Sequence, residues 1–520
     1  MEQEIINLVK ANVKLIQIIS YETLRIHGML VKTAKELEKD LYIWNRVQGL
    51  RRWNSSKSRF EEEQSEMSPE EATEFFISEE NQNLILLLED FYPDLTEDKP
   101  RMIRTFRNIA VQQIKGKSLV MSQPFPQLPR ELEKDVHLIE LPYPSFEDIK
   151  AIYKKVCKEY NIPKADNPDH DLIESALGLT IMEAEKAFAL AYIENGSLTS
   201  AEIPLVIREK ENIIKKSGYL EYYHPKEEIK DVGGLDVLKD WLIKRGRGFD
   251  KGAKDFGLNP PRGILLLGIP GTGKSLTSKA IGNLWHFPLL RLDMGKIFGG
   301  IVGESEMNIR QALKIAEAIA PSILWIDEIE KGMSGISSSG STDGGTTARV
   351  LGTFLTWMQE KTKPVFVVAT ANDISQLPPE LLRKGRVDEI FFVDLPTQKE
   401  RQEIIKIHLK KKGRKPDKFN IEEIAKESKG FSGAELEEVI KEALFQAYDK
   451  EREVTDEDIL GAIKKTFPLS RTMHETIEKM RKWAKSRAVF ASSEKPEELN
   501  VAESKDIPKL KQETYNNPFI

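Results

Sequence analysis

Eight residues in the second half of the chain have a spacing with a chemical use. Residues 268–275 read GIPGTGKS, a G-x-x-x-x-G-K-S run. It directly follows the apolar stretch GILLL and precedes SLTSKAIGNL, which has helical character. Glycines at 268, 271 and 273 let the backbone turn tightly, so that successive N–H groups point at phosphate oxygens. The helix opening near Lys274 adds the positive end of its dipole. Lys274 is then placed to reach β- and γ-phosphates, and Ser275 to ligate Mg²⁺. The whole run Gly268, Ile269, Pro270, Gly271, Thr272, Gly273, Lys274, Ser275 and Leu276 is the expected seat for ATP with Mg²⁺.

A second run supplies chemistry to match. Residues 321–328 read PSILWIDE, an apolar strand that carries two carboxylates to its C-terminal end. In a parallel sheet that end shares an edge with the phosphate loop. Asp327 is placed to hold the magnesium through water. Glu328 is placed to polarise the attacking water, a general-base role worth roughly 10²–10⁴ in rate. A third strand, VFVVATAN, ends in Asn372, whose amide can orient the same water. Downstream, LPPELLRKGRVDEIFFVDLP carries Arg383 and Arg386 three apart, at the end of an expected short helix. An arginine reaching a neighbouring subunit's γ-phosphate contributes about 10³–10⁵ to rate.

The elements that must position these residues follow from hydrophobic pattern. Ile264–Leu267, Leu289–Leu292, Ile323–Ile326, Val365–Ala369 and Ile390–Val393 are apolar runs of strand length, mostly separated by helical patterns. Such alternation predicts a parallel α/β sheet covered on both faces. Residues 400–465 keep helical periodicity only and predict a small helical domain. In the first half, residues 14–20 predict a buried strand, followed by a helix through about Lys39. Residues 54–80 are Ser/Glu-rich and predict a surface excursion without fixed structure. The apolar run Leu84–Leu88 ends in Glu89-Asp90. The expected domain limits are 1–215, 216–400, 401–467, a C-terminal helix at 468–491, and a flexible tail at 492–520.

Composition narrows the function. With 520 residues, three or four folding units are expected at roughly 150 residues each. At 40% hydrophobic and 31% charged, the chain has the make-up of a soluble globular protein. No apolar run is long enough for a membrane span, and the mixed-charge start MEQEIINLVKANVKL reads as neither a signal nor a transit peptide. The single cysteine, Cys157, forbids an internal disulfide and a cysteine metal cluster, and fits a reducing compartment. A net charge of −6 with no clustered basic face argues against a nucleic-acid partner.

These residues together resemble the AAA family of ring-forming ATPases, from Asp231 to about Phe467. DVGGL at 231–235 resembles the family's adenine-covering segment, which implies adenine contacts at Val232 and Gly233. VGESE at 302–306 follows the place of its pore loop. Asn372 matches its sensor asparagine, and Arg383 with Arg386 its R-x-G-R finger motif. GFSGAEL at 430–436 resembles the start of its lid helix, which implies nucleoside contacts at Gly433 and Ala434. LLRLDMGKIFGGIVGESE, ILWIDEIEK and PLSRTMHETIEKMRKWAKSRA are similar to one branch, the Ycf-type AAA proteins of algal plastids and cyanobacteria. The resemblance implies a doubly wound sheet of order 5-1-4-3-2 with a helical lid, and a homo-oligomer, in the family a hexameric ring. It also implies a cytoplasmic or plastid-stromal protein with a regulatory link to photosynthesis or carbon uptake. At the pore position, where threading members carry an aromatic, this chain has Ile301; Phe298, three residues earlier, is the alternative aromatic. A ring that remodels protein partners and a slow nucleotide-dependent switch or scaffold therefore both stay open. A DNA loader is disfavoured by the acidic balance and by Ala434, where such proteins carry an arginine.

The first half repeats the second without its chemistry. LPRELEKDVHLIELP at 128–142 aligns with LPPELLRKGRVDEIFFVDLP at 377–396 once the piece with the finger arginines is removed. ALGLTIMEAEKAFALAYI at 176–193 parallels SKGFSGAELEEVIKEALFQAY at 428–448. LILLLED at 84–90 falls where ILWIDE would, yet no phosphate loop precedes it. The expectation is a degenerate α/β domain with the same sheet order, a small lid over about 150–195, and no ATP site.

Overall fold

The computed structural model describes residues 1–78, 82–112, 116–162, 169–298, 304–332, 344–383 and 385–498. The chain divides into two compact units, Met1–Lys210 and Glu211–Ile520. No helix among the described residues is long and apolar enough to cross a membrane.

The first unit contains β1 (Leu15–Ile19), β2 (Asp40–Asn45), β3 (Gly49–Asn54), β4 (Arg59–Gln64), β5 (Leu84–Glu89), β6 (Ser118–Gln123) and β7 (His137–Glu140). They form one sheet in the order β4-β3-β2-β5-β6-β1-β7. Strands β2, β5, β6, β1 and β7 pair in parallel, and β3 and β4 extend the edge antiparallel. Counting only the parallel strands in chain order, the sheet reads 5-1-4-3-2. Burial explains why so apolar a strand as LILLLE sits at its centre. Leu84, Leu86 and Leu88 face one core, while Ile85 and Leu87 face a second one across the sheet. Period-2 alternation with both faces apolar is the mark of a strand covered on both sides. The helices Phe146–Glu159, His170–Ser175 and Ile181–Asn195 follow β7, over the stretch expected as a lid.

One expectation fails here. The stretch from Asn54 to Ser78 is ordered: it holds β4 and the helix Pro69–Ile77. Ser68 and Glu71 close a capping box at that helix's start, and Ala72 and Phe76 are fully buried. The Glu and Arg side chains of β4 lie on a solvent-facing edge, where charge opposes pairing with other chains. That charge gave the sequence its disordered look.

The second unit repeats the order with additions. Its strands are β8 (Leu220–Tyr223), β9 (Gly263–Gly268), β10 (Leu289–Leu292), β11 (Ser322–Ile326), β12 (Val365–Ala371), β13 (Glu389–Val393) and β14 (Val489–Phe490). The sheet runs β14-β13-β9-β12-β11-β10-β8. The five strands foreseen from sequence again read 5-1-4-3-2, all parallel. β8 joins antiparallel at one edge and β14 parallel at the other. Leu265 and Leu267 face one core, Ile264 and Leu266 the other. The helices Gln398–Lys411, Ile421–Glu427, Gly433–Asp449 and Asp456–Lys465 then enclose a separate apolar core of their own. After the helix His474–Arg487 the chain returns to the sheet as β14. Residues 492–498, expected to begin a flexible tail, are irregular but held by hydrogen bonds; residues 499–520 lie outside the described residues.

Candidate nucleotide site

The loop between β9 and the helix Lys274–Trp285 stands at the C-terminal edge of the sheet, with the ends of β11 and β12 beside it. Gly271 has φ +76, and a Cβ there would lie 2.9 Å from Ser432 Oγ and 3.1 Å from the Ala434 methyl. Glycine is therefore required both by backbone and by the close approach of the lid. The Ala434 N–H donates to Gly271 O at 3.0 Å, so the first turn of the lid helix Gly433–Asp449 rests on the phosphate loop. Thr272 Oγ1 donates to Ile269 O (2.7 Å) and stiffens the turn. Ile269 is fully buried, and Leu276 packs against the core below.

Lys274 is 5% exposed. Its ammonium donates to Gly268 O (2.9 Å) and Ile269 O (2.7 Å). Burial pulls its pKa down to about 8, against the opposing pull of Glu330, Asp327 and Glu328. Among the described residues its hydrogen bonds go to neutral carbonyls, and a buried cation so placed gains from an added anion.

The carboxylates stand where sequence placed them. Asp327 Oδ1 accepts from Ser275 Oγ (2.7 Å) and from Thr370 Oγ1 (2.7 Å). Ser275 and Asp327 are hard oxygen donors in mutual contact, the donor chemistry Mg²⁺ takes, so the residues fit that ion. Glu328 adopts φ +49, which side chains rarely do, and its N–H donates to Thr370 Oγ1 (2.9 Å). Its Oε1 accepts from Asn372 Nδ2 (3.1 Å), and its Oε2 pairs with Lys331 (2.5 Å). Thus Asn372 and Glu328 are brought together at the sheet edge.

Two participants escaped the sequence reading. Thr370 ties Asp327 to the Glu328 backbone. Glu330 Oε1 accepts the Asn372 N–H (2.9 Å), while its Oε2 is buried without a hydrogen-bond partner among the described residues. Burial raises the Glu330 carboxyl's pKa above its ordinary value. The one available signal was period 2: Asn372 lies two residues after Thr370, just past the end of β12, on the side that Thr370 faces.

The segment expected to contact the nucleoside packs against the lid. Val232 is buried, and Gly233 and Gly234 lie against the lid helix Gln398–Lys411. A Cβ on Gly234 (φ +65) would fall 2.3 Å from Glu400. The Gly234 N–H donates to Glu403 (2.8 Å) and the Leu235 N–H to Glu400 (3.2 Å).

Arg383 and Arg386 differ from expectation in one respect: they lie in turns rather than at a helix end. Arg383 is exposed and Arg386 half-buried, and neither side chain makes a hydrogen bond or ion pair among the described residues. Ile301 lies outside the described residues. Phe298, the alternative aromatic, is half-buried, packs against the core and lines a small cavity with Ile326, Ile329 and Phe354.

The first unit shows what replaces the chemistry. Asp90 has φ +48, matching Glu328, so Glu89 occupies the position of Asp327. Glu89 is held by His27 (2.6 Å), Asn45 (2.7 Å) and Arg51 (3.6 Å). Burial alone would raise its pKa, but these partners hold it below the ordinary value. Only Ser20, Tyr21 and Glu22 separate β1 from the next helix, Thr23–Glu36. There Glu22 accepts the Ile181 N–H (2.7 Å), as Gly271 accepts that of Ala434. Gly178 and Gly430 are both left-handed, and Thr180-Glu183 and Ser432-Glu435 both form capping boxes.

A phosphate loop, a carboxylate pair at the next strand end and a lid on the same edge define a P-loop nucleotidase. The model of the ATPase family associated with various cellular activities (AAA) matches residues 264–395, and that of the AAA+ lid domain matches 418–460. The SpoVK-like AAA ATPase N-terminal domain and second domain match 1–141 and 147–217. The chain belongs to the AAA family of ATPases. It is similar to the AAA domain-containing protein ycf46 of Pyropia yezoensis, 43% identical over 86% of this chain and 89% of that one. The ycf46 protein of Guillardia theta is 38% identical over 94% and 95%. The proteasome-activating nucleotidase of Aeropyrum pernix is 29% identical over 69% of this chain and 88% of its own.

Proposed function

We propose that the second unit binds ATP with Mg²⁺ and hydrolyses it, within a homo-oligomeric ring that acts on protein partners. One observation carries the catalytic part: the unbroken hydrogen-bond chain Ser275–Asp327–Thr370–Glu328–Asn372 beside a phosphate loop. The loop N–H groups and Lys274 hold the phosphates. Ser275 and Asp327 hold the magnesium, which supplies charge neutralisation when bound. Glu328 takes the proton of the attacking water, and Asn372 keeps that carboxylate and the water in line. Val232, Gly233, Gly433 and Ala434 line the nucleoside. Arg383 reaches across to a neighbouring copy, with Arg386 beside it. The ring and its protein substrate are supported by the likeness to a nucleotidase named for activating a proteasome. Likeness to the ycf46 proteins of algae supports a plastid-stromal or cytoplasmic setting in a phototroph; regulation of photosynthesis or carbon uptake is the field of action that the family resemblance in the sequence implies.

A second reading is favoured by Phe298. An aromatic packed into the core offers little to a threaded chain, which suits a slow nucleotide-dependent switch or scaffold. The two readings part on whether a protein partner accelerates turnover. The catalytic assignment is tested by two variants. Lys274→Ala is expected to lose ATP binding, measured by fluorescent-nucleotide titration. Glu328→Gln is expected to keep binding and lose phosphate release by about 10²-fold or more. Equal turnover by Glu328→Gln and the unaltered protein would remove Glu328 from its role.

A further inference from the structure

The chain that follows β14 bonds to the starts of the helices Asp236–Gly246 and Gln398–Lys411. The Ala491 N–H donates to Phe392 O (2.9 Å), and its carbonyl accepts the Leu238 N–H (3.1 Å). Ser492 Oγ donates to Glu400 (2.5 Å), and the Ser493 N–H to Asp236 (2.8 Å). Glu497 accepts the Gln398 N–H (2.7 Å) and pairs with Arg401 (3.0 Å). The Glu497 carbonyl accepts from Arg481 (3.2 Å), whose guanidinium also grips Asp394 just before the lid (2.9 Å).

These bonds converge on two places. One is the first turn of the helix Asp236–Gly246, directly after the nucleoside segment. The other is the first turn of the helix Gln398–Lys411, where the lid begins. Glu400 joins them: the same oxygen accepts from Ser492 Oγ and from the Leu235 N–H. Arg401 is 1% exposed, and Glu497 is its carboxylate partner. Removing one member of a buried charge pair is costly, whereas an exposed pair contributes little. Lys399–Glu494, a few residues away, is the exposed kind.

We propose that Ser492 and Glu497 are positioning residues for nucleotide retention. They lock the lid's first turn against the nucleoside segment, so a lid movement that frees nucleotide must first break their bonds. The inference rests on the reading that nucleotide sits on the phosphate loop beneath the lid.

The test is the release rate of fluorescent ADP from the full-length chain, chased with unlabelled nucleotide. Ser492→Ala and Glu497→Gln are each expected to speed release about three- to tenfold, the scale of one ordinary hydrogen bond's net contribution. Ser492→Thr, which keeps the hydroxyl, is expected to restore slow release. Lys495→Gln, at an exposed residue of the same stretch outside these bonds, is expected to leave the rate unchanged. If the unaltered chain binds, Lys274→Ala does not, and both Ser492→Ala and Glu497→Gln release at the unaltered rate, the positioning role is overturned and the nucleotide reading stands. If the unaltered chain does not bind, or Lys274→Ala binds equally well, both fall. Should Glu497→Gln fail to fold, the loss of a single hydroxyl in Ser492→Ala decides the question with Ser492→Thr as its control.

Discussion

Three carboxylates stand within four residues after β11, and their surroundings separate their work. Asp327 is occupied by two hydroxyl donors. Glu328 projects from a left-handed backbone toward Asn372 and Lys331. Glu330 is buried and holds the Asn372 N–H, which fixes where the Asn372 amide reaches Glu328. Glu330→Ala is therefore expected to lower kcat by about ten- to a hundredfold, the effect of misplacing a reacting group by about 1 Å. Nucleotide affinity should change little. Glu330→Gln keeps a carbonyl acceptor for the same N–H and should retain most of the rate. Steady-state kinetics with a separate binding titration distinguishes the outcomes, and a loss of affinity without a loss of kcat would exclude a positioning role. At this scale the placement of Lys274, Ser275, Asp327 and Glu328 at one sheet edge was legible because it depends on neighbours in the chain. Thr370 and Glu330 were hidden because they act across two strands, and strand register is not written in either segment alone.

Among elements, apolar strands were legible and polar ones were not. The five parallel strands of the second unit have few alternatives to a covered sheet, since both of their faces are apolar. By contrast β4 is charged and lies at an edge, and β14 is two residues long. The helix after β4 did carry a signal in Ser68-x-x-Glu71, the capping-box spacing. The most informative element is the short connection after β1. Where the second unit has a five-residue phosphate loop between its strand and helix, the first has Ser20-Tyr21-Glu22, and Glu22 gives the lid helix its acceptor. Arg25 completes the link, bonded to Glu22 (2.8 Å) and to Pro142 O (2.5 Å). A carboxylate of the chain thus makes the contact to the lid that in the second unit is made by the loop backbone. Glu22→Ala is expected to speed amide exchange of Ile181 and its helix by about tenfold or more, since a buried N–H loses its partner at a cost of about 1–3 kcal/mol. Added ATP should not reverse it. Exchange unchanged in the variant, or slowed by ATP, would refute a latch that works without nucleotide.

At the scale of the whole molecule, one unit retains the nucleotide residues and the other only the sheet and lid pattern. A single site with Lys274 as its buried cation still needs positive charge at the leaving side during phosphoryl transfer. Arg383 is exposed and its side chain makes no hydrogen bond or ion pair among the described residues, so those residues give its guanidinium no task. An arginine left free in this way is suited to a neighbouring copy. Arg383→Ala is therefore expected to bind nucleotide as the unaltered chain does and to lose about 10³-fold or more in turnover. Lys274→Ala should lose binding yet keep its arginine. In a mixed assembly, a Lys274→Ala copy can present Arg383 to the intact phosphate loop of an Arg383→Ala copy. ATPase activity should then return in part, with a maximum at intermediate ratios, while each variant alone stays inactive. Light scattering and tagged co-purification establish that the copies mix. Mixed assemblies that stay inactive at every ratio would show that Arg383 does not act between subunits.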